Sequence, residues 1–154
     1  IPRKSITLTN WGKASDVTSS KFRFHQNDIL FGKIRPYFHK VVFAPLDGIC
    51  SSDTIVYQVS NPEFFGLALA VISSEEFVNF TSKTSKEGAK MPRANVTEMD
   101  KYPILFPKNE ILWEFNKFFV ILTKQISNLI FMNNNLSEAR DLLLPRLMSR
   151  ELGV

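Results

Sequence analysis

The chain has 154 residues, 44% of them apolar and 22% charged, which is enough for one domain with a real hydrophobic core plus a terminal extension. A single cysteine, Cys50, excludes an internal disulfide framework, and together with His25 and His39 it shows no familiar zinc-ligand spacing. The formal charge of +4 is unevenly spread: residues 1–40 hold Arg3, Lys4, Lys13, Lys21, Arg23, Lys33, Arg35 and Lys40 against only Asp16 and Asp28, a concentration that points to a polyanionic partner.

No charged-then-apolar leader opens the chain, and its most apolar helical stretch contains Glu114, Lys117 and Lys124. Membrane insertion is therefore not expected, and a reducing cytoplasm fits the single thiol. The chain starts without Met inside a polar stretch, which suggests an excised fragment rather than a natural start and leaves open whether strands precede it.

Residues 1–27 read as loops with one or two short strands, around the apolar groups at 6–8 and 22–24. Residues 28–35 are strand-like, Pro36 interrupts them, and residues 38–44 form a second run rich in β-branched and aromatic side chains, so the two are expected to pair. Asp47-Gly48 is a turn signal, and residues 54–59 follow as a third strand. The period then changes to that of helices. Asn61-Pro62 opens one over residues 63–72, and Ser74-Glu75-Glu76 caps a second that includes Phe77 and Phe80.

Residues 83–93 are a basic loop with Gly88 and Pro92; Asn95 caps one turn over residues 96–101. Tyr102-Pro-Ile-Leu-Phe-Pro107 is expected as a short edge strand, since both prolines argue against a central one. From Leu112, alternate steps of three and four give Phe115, Phe119, Leu122, Ile126, Leu129, Asn133, Leu136, Arg140, Leu143 and Leu147, a heptad series. At 1.5 Å per residue this is a rod of roughly 50 Å. Its first half is apolar on several sides and its second half keeps only a narrow seam, as a coiled-coil arm does; a long helix packed on its own domain is the plainer alternative. Pro145 is expected to end or kink it.

Few residues suggest catalysis. Asn61-Pro62-Glu63-Phe64 resembles the Asn-Pro-Pro-aromatic loop of amino-methyltransferases, yet the second proline and a Gly-rich cofactor turn are missing, so it is read as a helix start. Glu98, Asp100 and Lys101 crowd one short turn, which suits a solvated face better than a metal nuclease. Two basic clusters remain. Lys33, Arg35, Tyr37, His39 and Lys40 alternate on or beside a hairpin with an aromatic between the cations, and Lys83, Lys86, Lys90 and Arg93 lie in the loop. Either alone is ordinary surface charge; together they favour nucleic-acid binding over catalysis.

Four ordered motifs carry a family resemblance. They are Asp28-Ile-Leu-Phe-Gly-Lys-Ile-Arg-Pro-Tyr-Phe38, Asp47-Gly-Ile-Cys-Ser-Ser-Asp53, Lys90-Met-Pro-Arg93 with the following 102–107 segment, and Ala139-Arg-Asp-Leu-Leu-Leu-Pro-Arg-Leu-Met148. With these the chain resembles one target recognition domain, and its following helix, from the specificity subunit of type I restriction-modification enzymes. The resemblance implies an α/β (α+β) recognition domain with a mixed sheet and short helices over residues 1–107, then a long conserved-region helix over residues 108–154.

It also implies a non-catalytic chain without cofactor that reads one half of a bipartite site in double-stranded DNA. Methylation and restriction subunits are the implied protein partners, and a homodimer through antiparallel helices follows from the presence of a single recognition domain. The expected DNA contacts are Lys33, Arg35, Tyr37, Lys40, Lys83, Lys86, Lys90 and Arg93; the expected helix-pairing positions are Leu122, Ile126, Leu129, Asn133, Leu136, Leu143 and Leu147. The loop reads Lys86-Glu87-Gly88-Ala89 where relatives often place Ser or Thr after Gly. A recognition fragment of a fused restriction-methyltransferase and a pure coiled-coil assembly protein are the competing readings.

Overall fold

A computed structural model describes residues 1–85 and 91–149, which divide into two compact units, Ile1–Val120 and Ile121–Val154. The first unit is built on a three-stranded antiparallel sheet in the order β3-β2-β5, with β2 at Ile29–Gly32, β3 at Val41–Phe43 and β5 at Thr54–Tyr57. The expected pairing of the first two strong runs is present, in the register Ile29 to Phe43 and Phe31 to Val41. Residues 6–8 supply only an isolated parallel bridge, Thr7 to Phe43.

Strand alternation splits the sheet's side chains into two apolar sets. Leu30, Val42 and Ala44 form one cluster with Phe24, against which Leu8, Cys50 and Val56 pack. On the other face Phe31 meets Phe77 edge-on at 6.0 Å, and Phe77 and Phe80 meet Tyr102 at 5.1 and 5.2 Å. Burial, with Asp100 nearby, pushes the Tyr57 phenol up to about 12, so it stays a donor, and it donates to Met99 Sδ. The sheet is thus covered on both sides, which is why its strands read as continuous apolar runs.

A second, two-stranded sheet joins β1 (Lys21–Phe24) to β4 (Gly48–Ser51). Gly48 lies opposite Phe24, and a Cβ there would come within 2.6 Å of the ring's Cζ. The Asp47-Gly48 pair therefore starts a strand as well as turning the chain. Glycine is required because the buried Phe24 ring lies over its backbone.

The helical signals hold, with capping as the cause. Asn61 accepts from Glu63 N–H ahead of a 3-10 turn, Pro62–Phe64, which leads into α1 (Phe65–Ile72). Ser74 accepts from Phe77 N–H at the start of α2 (Glu75–Lys83), and Asn95 from Thr97 N–H at α3 (Val96–Met99). One expectation fails, and of a second, that Pro145 ends or kinks the last helix, the ending does not occur. Residues 102–107 form no strand, because Pro103 and Pro107 remove ladder donors, and the segment has no regular structure, with Leu105 93% exposed. Pro145 does not end the last helix, α4, which runs from Asn109 to Met148. So near the C-terminus a proline forfeits one backbone bond while the last turn continues, and Ser149 N–H bonds to Pro145 O.

In the first unit α4 is clamped by Asn116. Its side-chain oxygen accepts from Gly66 N–H at 2.8 Å and its amide donates to Pro62 O at 3.1 Å. One amide thereby satisfies groups at the start of α1, whose Gly66 leaves only 3.0 Å for a Cβ against Asn116 Cα.

Gly48→Ala should destabilise the fold by about 1–3 kcal/mol, the usual cost of forcing one methyl into a packed core. Urea unfolding checks this, and an unchanged midpoint would mean that Phe24 is not held over the β4 backbone.

Candidate nucleic-acid interface

The chain between β2 and β3 is short and conformationally costly. Arg35 and His39 both take left-handed backbone, φ 51° and 52°, on either side of a 3-10 turn at Pro36–Phe38. Non-glycine residues reach that region at roughly 1–2 kcal/mol each. Hydrogen bonds hold the pair in place: Arg35 N–H to Pro92 O at 2.8 Å, Phe38 N–H to Arg35 O at 2.9 Å, and the His39 ring at 2.8 Å from Ser73 O. The segment therefore sits beside a hairpin as expected, joining β2 to β3, but it does not alternate as a strand would. Strain held by outside contacts is characteristic of sites that present side chains for use.

The cations accordingly fall into two groups. Arg3, Arg35 and Lys40 converge on the Phe38 ring, at 3.4, 5.7 and 5.8 Å from its centroid. Tyr37, expected between the cations, instead packs edge-on against Phe38 at 4.8 Å and is itself exposed. Arg35 Nε is buried without a hydrogen-bond partner among the described residues. Three cations round one ring repel one another, and none has an acidic partner among the described residues. An anion is the ligand such a group lacks.

The second group gathers Lys33 and Arg93. Residues 33–35 bridge to residues 92–94 through Ile34 and Arg93, with Ala94 N–H on Lys33 O at 2.9 Å, and Lys33 N–H on Asp53 O at 2.8 Å. Arg93 pairs with Asp53 at 3.2 Å, with 62% and 36% of the two side chains exposed. An open pair of this kind contributes at most about 1 kcal/mol, so it positions Arg93 more than it stabilises the fold. Lys33 Nζ reaches Ser52 O at 3.3 Å and lies 6.0 Å from the Phe22 ring.

Lys83 ends α2, exposed, without a hydrogen bond or ion pair to either group, and Lys86 and Lys90 lie outside the described residues. Reasoning from sequence passed over Arg3, Phe22, Arg23 and Gln58 as site residues. Arg23 is exposed on β1, and it borders an open cleft of ≈ 370 Å³ with Phe22, Lys33, Ile55, Gln58 and Val96. The only signal available was the alternation of Lys21, Phe22, Arg23 and Phe24. Among the described residues no group of His, Cys, Asp or Glu is placed to hold a metal ion.

On α4, the row Leu122, Leu129, Leu136 and Leu143 is exposed, with Leu136 at 65%, and Asn133 and Leu147 are exposed too. Ile126 is half-buried and Leu112 buried, so the heptad's two rows differ: one stays open while the other is partly covered. Exposed Phe118 and Met132 border the open row. No single helix among the described residues is long and apolar enough to cross a membrane.

No family model matches the chain. It is similar to the type I restriction enzyme EcoDI specificity subunit of Escherichia coli, 27% identical over 148 residues, covering 86% of this chain and 33% of that protein. The chain thus spans about a third of the length of the curated relative it matches. A specificity subunit as relative bears out the family resemblance read from the four motifs and supports membership in that family.

Proposed function

We propose that this chain is one DNA target recognition domain, with its following helix, of a type I restriction specificity subunit, without catalytic role, acting in the cytoplasm. Residues 1–107 form the recognition domain, and residues 108–154 serve as spacer and docking element for methylation subunits. The observation that carries this reading is the set of cations without acidic partners among the described residues, Arg3, Arg35 and Lys40 round Phe38 and Lys33 next to the Asp53-paired Arg93, with Arg35 itself on left-handed backbone. The specificity-subunit relative supplies the DNA class.

Phosphate oxygens take the cations first, because backbone contacts fix register while carrying no sequence information. Lys33, Arg35, Lys40 and Arg93 are the leading contacts, with Tyr37 and Lys83 at the margin and Lys86 and Lys90 in the loop beyond the described residues. Arg93 is shared with Asp53, so contact with DNA exchanges one anion for another.

The open leucine row on α4 pairs with the same row of a second copy, antiparallel, giving a homodimer with two recognition domains. Such a stripe left in water is unfavourable, and burial of each leucine contributes roughly 1.5–3 kcal/mol. Each domain then reads one half of a bipartite site, and helix length sets the spacer.

Lys33→Ala combined with Arg93→Ala should weaken duplex binding and lower the magnitude of the log K against log salt slope by about 1 to 2, since each phosphate contact contributes close to one. Anisotropy titrations at several salt concentrations check this; an unchanged slope places these residues off the interface.

Removal of one heptad, residues 126–132, preserves the leucine row and shortens the helix by roughly 10 Å. The preferred spacing between two half-sites should shrink by about three base pairs, at 3.4 Å per base pair, or bipartite binding should give way to single half-site contact. Binding to duplexes of graded spacing reads this out. An unchanged optimum contradicts the spacer role, and a monomeric intact chain in light scattering contradicts the pairing.

A further inference from the structure

β1 and β5 each keep one edge without a strand partner among the described residues, because β1 pairs with β4 and β5 with β2. Those two strands supply most of the lining of the ≈ 370 Å³ cleft, which explains why consecutive residues, Phe22 with Arg23 and Ile55 with Val56, border it. Its size lies at the lower end of small-ligand sites. A duplex is too wide to enter, its major groove alone measuring about 12 Å.

The cleft's chemistry is lopsided. Phe22, Ile55, Val56 and Val96 give it apolar walls, and its longest polar groups are the Arg23 guanidinium, the Lys33 ammonium and the Gln58 amide. No carboxylate lines it, and neither Arg23 nor Lys33 has an acidic partner among the described residues. The groups are also weakly engaged. Gln58 Nε2 lies 3.4 Å from His25 Nδ1 and 3.5 Å from Asp28 Oδ2, at the limit of hydrogen bonding, and Lys33 makes one long bond to Ser52 O at 3.3 Å. The Phe22 ring is 50% exposed although its strand neighbour Phe24 is buried.

A ligand that suits these walls has a flat apolar body, an edge that hydrogen-bonds, and negative charge at one end. We infer that the cleft binds one nucleotide unit, its base against the Phe22 ring with Gln58 at the base edge, and its phosphate between Arg23 and Lys33. The flexible Lys33 stem gives up a long carbonyl bond for a charged one. Aromatic stacking accepts any base, and the amide supplies whatever preference there is. In the DNA-reading function proposed above, on which the choice of source rests, the nucleotide is one that leaves the stack of the bound duplex; a free nucleotide has the same chemistry.

Two measurements separate the sources. Duplexes identical except for one unpaired nucleotide are compared with the fully paired duplex by anisotropy, for the intact chain, Phe22→Ala and Phe22→Trp. Deoxynucleoside monophosphates are titrated separately, with amide NMR shifts as the readout. The unpaired duplex should bind about 5- to 100-fold tighter, the range that stacking on one aromatic supplies. Phe22→Ala should remove that gain while paired-duplex binding and its salt slope persist, and Phe22→Trp should keep it.

Monophosphate shifts at Phe22, Arg23 and Val56 without a duplex preference uphold the cleft and assign it to a free nucleotide. Equal binding of paired and unpaired duplexes with no monophosphate shifts overturns the inference, as does a gain that survives Phe22→Ala. If paired duplex is not bound at all, the DNA-reading function fails by itself, and the monophosphate titration still decides the cleft.

Discussion

Strand β2 is buried on both faces and hydrogen-bonded along both edges: Ile29, Leu30 and Phe31 are at most 1% exposed, with β3 on one side and β5 on the other. Both apolar layers of the first unit start from these side chains. Leu30 anchors the cluster with Phe24, Val42 and Ala44, and Phe31 meets the helical layer through Phe77. Truncating a side chain buried this well costs about 2–5 kcal/mol. Because the strand ends at Gly32, Lys33 emerges at a fixed point, and the costly turn at residues 35–39 begins from a rigid base.

Charge placement then separates framework from interface. Acids are used where cations need positioning, as Asp53 does for Arg93 and Glu75 for Lys4. Around Phe38 and along the β1 edge none is paired with a cation among the described residues. Unneutralised cations on a folded surface repel one another, a cost that a bound polyanion reverses, and they release counterions when phosphates replace salt. In the proposed DNA-reading role, cations left unneutralised in the free chain are the ones that phosphates would take up.

Legibility in the sequence followed the same physics. β2, β3 and β5 could be read because burial on two faces demands apolar runs, and three helix starts could be read because Asn61, Ser74 and Asn95 satisfy backbone donors locally. β4 was hidden behind a turn signal, since Gly48 serves a ring packed across the strand pair and not only a bend. The 102–107 segment misled because its apolar residues mimic a strand while its prolines cannot join a ladder. Among site residues, Lys33 and Arg93, read as members of two separate basic clusters, are brought together by the Ile34–Arg93 bridge, whereas the left-handed backbone at Arg35 and His39 has no propensity signal, and Arg35 and Lys40 lie round Phe38. The Phe22, Arg23 and Gln58 cleft was out of reach, because only tertiary packing sets β1 beside β5.

The proposed role requires sequence-specific contact with duplex DNA, and the most direct measurement is enrichment of bound fragments from a fully randomised duplex pool at near-physiological salt. A recognition domain should enrich one short motif over successive rounds, with single mismatches in it costing roughly 1–3 kcal/mol each. Retention of DNA with no motif above the starting pool would show a merely basic surface and contradict the reading.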